Sequence, residues 1–545
     1  MWQRLNQEKE LKSVLIAASL FLVFGLSIAL HRYLSFYANT DHGLFNQVAW
    51  NTLHGHWFES SLFSAFSANV GQLGQVADVN YHNLAHHFTI SMGILIPFYG
   101  LFPHPSMLVV IQVVLMTAAG LVLYVLTRHH VKAELAAMIA ISYYAANAVI
   151  GPAIGNFFNL CQLPLYVFGL LLALEKRRWL WFWPLVILTL GIREDAGVVL
   201  FSIGFYWAVS RRSPKLGLAL CGLSLAYMIW VTNWIMPLFA ADISQRFMIE
   251  RFGHFVETSE ASTLDILWAM ATHPWQVIAE WFMPLGRKIQ YLLGHWLPLA
   301  LIPAISPAAW LSALFPMSQL FLQQGTMRFA INIRYAVAVV PGIFYGTILW
   351  WSHHQHRFQG QFRARFRKFW QVAIGLSLFF TFTSNPHEAW FFLIPDSIDP
   401  WLYKPIQVQW HHVNQLNPVL AQIPDDASVC ATQYLLPRLS GRRAIFPDYQ
   451  WQFRNDTGEV AAVDYIVIDF WRSFYRSAFR GERGSLRHHL DSLEGFIGDG
   501  RYGMIDFRDG AALLKYGAES QPEVMAPWLD YRQQLEEILQ QDNEE

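Results

Sequence analysis

Residues 13–30, SVLIAASLFLVFGLSIAL, form an apolar run without a single charge. About 20 such residues in a helix span the hydrocarbon of a bilayer, so the stretch reads as a membrane crossing. Gln3, Arg4, Lys9 and Lys12 precede it, and His31, Arg32 and Tyr33 follow. A cleavable signal peptide has a shorter core and a small-residue cleavage site. The run is therefore an uncleaved first helix with its N-terminus in the cytoplasm. Working outward, further apolar runs stand at 106–127, 134–150, 162–174, 179–192, 195–210, 216–236, 291–305, 308–322, 335–351 and 370–383. With the first, they predict about eleven transmembrane helices.

The loops between these runs give the direction. Arg128 and Lys132, then Lys176, Arg177 and Arg178, then Arg211, Arg212 and Lys215, then Arg357, Arg363, Arg365, Arg367 and Lys368 fall in alternate loops. Segment 32–88 carries Arg32 as its one Lys or Arg. Cytoplasmic loops hold the excess of Lys and Arg, so the alternation predicts a C-terminal tail outside.

Composition agrees with a membrane protein. The chain has 545 residues, of which 54% are hydrophobic, 16% aromatic and 14% charged. An ordinary soluble chain is roughly 25% charged. Lys plus Arg is 38 against 39 for Asp plus Glu, a net charge of −1. A nucleic-acid partner calls for a concentrated basic face, so none is expected. The three cysteines, Cys161, Cys221 and Cys430, have neither CxxC nor zinc spacing, so no disulfide framework or thiolate site is indicated.

Two outside segments are long. In 32–105, Leu44, Phe45, Val48, Ala49 and Leu53 recur at helical spacing and Gly55 ends the pattern. Phe88–Phe102 is broken by Pro97 and reads as interfacial. Segment 237–290 mixes Trp, Phe and charge, as an interfacial cap would. From about Ser384 the composition changes. Runs at 428–432, 443–446, 465–470, 503–507 and 511–515 read as strands, with Arg508-Asp509-Gly510 as a hairpin turn. The expected organisation is a transmembrane domain over 1–385, a small extracytoplasmic α/β domain over 386–520, and a charged helix or tail over 521–545.

Ionisable groups near a membrane are candidates for function. Asp41 lies shortly after the first span, where it caps a helix or serves as general base or metal ligand. His82 and His86 are spaced i, i+4, which on a helix puts both imidazoles on one face and makes a divalent metal ion a candidate cofactor. Arg193-Glu194-Asp195 offers further carboxylates beside a guanidinium, or a local ion pair and cap. Arg287, Lys288, Arg328 and Arg334 stand on the expected outer side, against the charge rule, as phosphate forks or headgroup anchors. Asn156 and Asn159 end a span, as a turn or as cavity lining. No Walker A, GxSxG, HExxH or dinucleotide glycine motif is present, so cytosolic nucleotide chemistry is not indicated.

The chain resembles the bacterial membrane-protein family known as domain of unknown function 2079. The resemblance rests on Asp41-x-Gly43-x-Phe45-x-Gln47-x-x-Trp50-Asn51-Thr52-x-x-Gly55, His87-Phe88 leading to Pro97-Phe98-Tyr99, Gln112, Arg193-Glu194-Asp195, Ile423 to Ser428, and Asp464 to Asp469. Where that family often has Lys before Glu-Asp, this chain has Arg193. The family in turn is similar to GT-C class glycosyltransferases. That similarity implies a polyprenyl-phosphate-linked sugar donor, a site at the outer face of a bacterial inner membrane, and a catalytic acid at the place of Asp41. His42 follows Asp41 where many GT-C enzymes have a second acid, so Glu194 or Asp195 is assigned that role. Arg193, Arg287, Lys288, Arg334, Gln47 and Asn156 are the residues assigned to the donor's phosphate and sugar. The acceptor is open.

Two other readings compete. A non-catalytic scaffold subunit with partner proteins in the membrane would keep the fold without the chemistry. A lipid or solute transporter would show matched repeats with broken spans, and no internal repeat is seen.

Overall fold

The apolar runs are helices in the computed structural model, which describes residues 2–239, 251–256, 263–325 and 327–540. Parts of the 237–290 segment and the last five residues of the expected tail lie outside the described residues. Four helices are long and apolar enough to cross a membrane: Glu8–Leu34, Pro105–Arg128, Pro214–Leu238 and Arg334–Arg357. A fifth crossing is available if Ala133–Tyr144 and Asn147–Ile154, bent by 43°, act as one. Asn159–Glu175, Trp179–Leu190 and Gly197–Val209 are shorter apolar helices.

The expected span 291–305 is not a continuous helix. In its place a helix runs Leu285–Trp296 and is followed by a tight turn at Leu297–Leu299. Ala300 and Leu301 are left-handed, with φ of 52° and 60°. Pro298 and Pro303 each lack the N–H that a helix needs, which is the physical reason for the break.

The chain divides into two compact units. The first comprises Met1–Ala29, Leu84–Phe98 and Leu108–Ala389; the second comprises Leu30–Asn83, Tyr99–Met107 and Trp390–Glu545. Segment 32–105, placed by sequence within one transmembrane domain, is thus shared between them.

The first unit packs helices closely. On Val340–His354, a Cβ added at Gly342 or Gly346 would overlap the backbone of Ser312 or of Ala309 on Pro307–Phe321. The four-residue spacing is the small-residue device that lets apolar helices meet backbone to backbone. Trp370 is buried, and its indole N–H reaches both Ser142 Oγ and the Pro298 carbonyl at 2.9 Å.

The second unit is built on a five-stranded sheet, in the order Ile445–Pro447, Val429–Ala431, Tyr465–Asp469, Ala511–Tyr516, Tyr502–Arg508. The first three strands are parallel and the last two form an antiparallel hairpin. Its turn places Asp509 and Gly510 at positive φ, a region Gly and Asp tolerate best. Tyr465–Asp469 is buried at every position, as an internal strand requires. Helices Arg480–Gly498 and Pro522–Gln540 bury Leu486, Leu490, Leu493, Trp528 and Leu535 in the core. The N-terminal part of this unit adds Ala77–Asp78, which pairs in parallel with Gln452–Arg454.

Helix Thr40–Leu53 also belongs to the second unit. Its N-cap is Asn39, whose side chain accepts from the Asp41 amide at 3.1 Å. Capping by Asp41, an expectation from sequence, is therefore corrected: Asp41 sits in the first turn, where a negative charge suits the helix dipole. Gly43 lets the helix lie against Leu436–Leu439, since a Cβ there would stand 3.2 Å from backbone atoms of Leu436 and Pro437. Gly55, at φ 92°, follows the end of the helix.

Candidate functional site

The turn between helices Trp179–Leu190 and Gly197–Val209 presents Arg193, Glu194 and Asp195. Arg193 forks onto Asp195, with Nε to Oδ1 and Nη2 to Oδ2 both 2.5 Å. Gln319 donates to Asp195 Oδ2 at 2.9 Å, and Arg251 Nη1 lies 3.7 Å from the same oxygen. Glu194 accepts from His87 Nδ1 and from the Phe88 amide, each at 3.1 Å.

These contacts fix the charge states. Burial opposes ionisation of Asp195, but the Arg193 and then the Arg251 guanidinium outweigh it and hold the carboxyl well below its usual range. Burial likewise opposes Glu194, and His87 brings it below the ordinary value. Burial, then the charges of His87 and Arg251, drives His86 well below the usual histidine value, so its imidazole is neutral.

Glu194, Asp195, His86 and Arg251 stand at the wall of a cavity of ≈ 290 Å³. The remaining lining is mainly apolar, including Leu225, Met228, Ile229, Ile266 and Met270. The result is an oily chamber with a charged patch. Such a chamber suits a largely apolar ligand that carries a polar group.

The structure brings together Glu194, Asp195 and His86 from the sequence-derived set, with Arg193 behind them. Arg334 stands beside Tyr335, which the charges of Arg193 and Arg251 also reach. Asp41, Gln47 and His82 belong to the second unit. Asn156 is in a turn organised by Gln112, which donates to the Pro152 carbonyl at 3.1 Å and accepts from the Phe158 amide at 3.1 Å. Asn159 is buried there, with neither amide atom hydrogen-bonded among the described residues. Its turn packs against Arg334–Ala338, where Arg334 lies 5.3 Å from the Tyr335 ring centroid. Arg287 is exposed on its helix.

Two assignments to phosphate are corrected. Lys288 is 2% exposed and donates to the Glu280 and Phe321 carbonyls, so its ammonium is a packing element. Gln47 is buried in the second unit. Its amide donates to Ser61 Oγ at 2.8 Å and to the Arg442 and Arg443 carbonyls at 3.2 and 3.0 Å. Its oxygen accepts from Ser60 Oγ at 2.7 Å and the Leu62 amide at 3.0 Å. No capacity remains for a ligand.

The shared helical face proposed for His82 and His86 is also corrected. His82 lies in a β-bridge with Glu59, a tight turn spans Asn83–Ala85, and the two histidines belong to different units. Among the described residues, no group of three or more His, Cys, Asp or Glu is arranged to hold a metal ion. Asp41 is half-buried on helix Thr40–Leu53. His42 beside it is buried, bonds the Pro105 carbonyl at 3.0 Å, and is lowered to about 4 by burial.

Sequence reasoning missed Arg251 and the role of His87. Arg251 lay in a segment read only as an interfacial cap. His87-Phe88 stood out as a motif, but nothing local ties it to Glu194, more than a hundred residues away.

A second charged cluster lies in the second unit. His412 places Nε2 2.9 Å from Asp469 Oδ2 and Nδ1 2.9 Å from Asp509 Oδ2, with its ring stacked on Trp471 at 4.5 Å. Burial works against the charged ring, but Asp469 and Asp509 prevail and push it up to about 9.

No curated protein matches the chain. Among solved structures, it is similar to ArnT from Cupriavidus metallidurans bound to undecaprenyl phosphate, at 12% identity and a TM-score of 0.48, over 92% of this chain and 99% of that one. It is also similar to the oligosaccharyltransferase AglB from Archaeoglobus fulgidus in complex with an inhibitory peptide and a dolichol-phosphate, at 12% identity and a TM-score of 0.42, over 85% and 71%. Residues 32–513, most of the chain, match the family model described as "Predicted membrane protein (DUF2079)", and the protein belongs to that family.

Proposed function

We propose that this membrane protein transfers a sugar from a polyprenyl-phosphate donor to an acceptor hydroxyl at the periplasmic face of a bacterial inner membrane. The N-terminus is cytoplasmic in this reading and the sheet-containing unit periplasmic. The observation that carries it is the cavity of ≈ 290 Å³ in which an apolar lining meets Glu194, Asp195, His86 and Arg251. An isoprenoid chain suits the lining and its phosphate suits the Arg251 guanidinium. Glu194 and Asp195 then hold charge. Asp195, held far below the usual carboxylate range, accepts a proton poorly and is not the base.

The base is assigned to Asp41 on the sequence resemblance. The acceptor oxygen bonds to the anomeric carbon while the bond from that carbon to the phosphate oxygen breaks. The hydroxyl proton passes to the Asp41 carboxylate, and the electron pair leaves with the polyprenyl phosphate. Such base assistance contributes about 10²–10⁴-fold. The scaffold reading draws on His42, a buried neutral ring at the place of a second acid.

Two measurements test the proposal. Arg251→Gln in the full-length protein is expected to weaken binding of undecaprenyl phosphate by at least tenfold; unchanged binding removes the donor site. Asp41→Ala, expressed at the normal level, is expected to erase one sugar from envelope polysaccharide, lipid or protein. An unchanged glycan profile removes the enzyme reading and leaves the scaffold.

A further inference from the structure

The second unit carries an apolar edge that its core does not explain. Strands Ser397–Ile398 and Trp401–Leu402 form a short hairpin in which Ile398 and Trp401 are direct cross-strand partners. Paired residues project from the same face of a ribbon. Ile398 is 81% exposed, Trp401 66% and nearby Leu393 70%, and Tyr403 and Ile406 are also exposed. Elsewhere in the unit exposed large apolar side chains mostly come singly, as at Trp57, Leu73 and Leu529. The other close pair is Leu101 and Phe102, just before the membrane-length helix Pro105–Arg128.

The hairpin is held firmly at its base. The Asp396 amide donates to the Leu402 carbonyl at 2.8 Å, Arg476 pairs with the Asp396 carboxylate, and the Tyr403 hydroxyl donates to the Phe392 carbonyl at 2.8 Å. Beside it, Lys404, Arg472 and Arg476 line a shallow hollow with Leu402 and Tyr475. Apolar tips, a Trp and a Tyr, and adjacent cations are the composition of a membrane-interface anchor. The chain also favours this occupant, because the apolar run 370–383, expected from sequence to cross the membrane, ends ten residues before Leu393.

We propose that the hairpin Ser397–Leu402, with Leu393 and Tyr403, inserts into the headgroup region of the bilayer and anchors the second unit to the lipid surface. Ile398 and Trp401 enter the interface, while Lys404 reaches the phosphates.

A nitroxide attached at Ile398→Cys in the full-length protein tests this in nanodiscs of phosphatidylethanolamine and phosphatidylglycerol. The unsubstituted protein supplies the blank, and Glu459→Cys, exposed on the same unit, the aqueous control. The label at 398 is expected to collide at least threefold more with oxygen, relative to a water-soluble nickel chelate, than the label at 459. Equal ratios at the two positions place the hairpin in water and overturn the proposal. Shielding at 398 from both reagents places it under protein, a second copy included, and overturns it equally.

Discussion

Asp195 is the residue on which the cavity's electrostatics turn, since Arg193, Arg251 and Gln319 all address it. Asp195→Asn leaves a buried guanidinium without its counter-ion, which costs about 3–5 kcal/mol. A lowered melting temperature in detergent checks this, and an unchanged one refutes it. His412 makes a prediction about pH. Its folded value, about 9, lies above the ordinary 6.5, so folding favours the protonated ring. The stabilisation is whole below pH 6.5 and disappears as pH rises through 9, with a total on the order of 3 kcal/mol. Melting temperature measured from pH 6 to 10 should fall more steeply for the native chain than for His412→Gln. At this scale the sequence was only partly legible. Arg193, Glu194 and Asp195 announce themselves as adjacent charges beside an apolar run. Gln47 does not, because the carbonyls it binds, at Arg442 and Arg443, are almost four hundred residues away and no local pattern records them.

Elements were read more reliably, because periodicity is a local property. The run at 13–30 lies within helix Trp2–Leu34, and the β-rich run at 465–470 gives strand Tyr465–Asp469. The break at Ala300 and Leu301 was obscured because its prolines sit within an otherwise apolar stretch. Helix crossings carry a clearer test. Gly346→Leu forces Val340–His354 away from Pro307–Phe321, an overpacking cost of about 1–3 kcal/mol or more. Gly43→Val should separate Thr40–Leu53 from Leu436–Leu439 at a similar cost. Faster proteolysis of each variant at constant detergent checks both; resistance equal to that of the native chain counts against the packing.

At the scale of the whole molecule, the second unit is assembled from three separate stretches of chain. Residues 390–545 expressed alone lack Gln47, Ser60 and Ser61, and with them the hydrogen bonds to Arg442, Arg443 and Ile445. They also lack Ala77–Asp78, the partner of Gln452–Arg454. The isolated fragment is expected to give broad, poorly dispersed amide resonances. A sharp, well-dispersed spectrum would show that the C-terminal stretch folds unaided.

That parallel pairing of Ala77–Asp78 with Gln452–Arg454 also sets an order on biogenesis. An early-translated strand must wait for a partner that leaves the ribosome only after every hydrophobic segment between them has been delivered to the translocon. A prematurely terminated chain therefore leaves that strand edge unpaired.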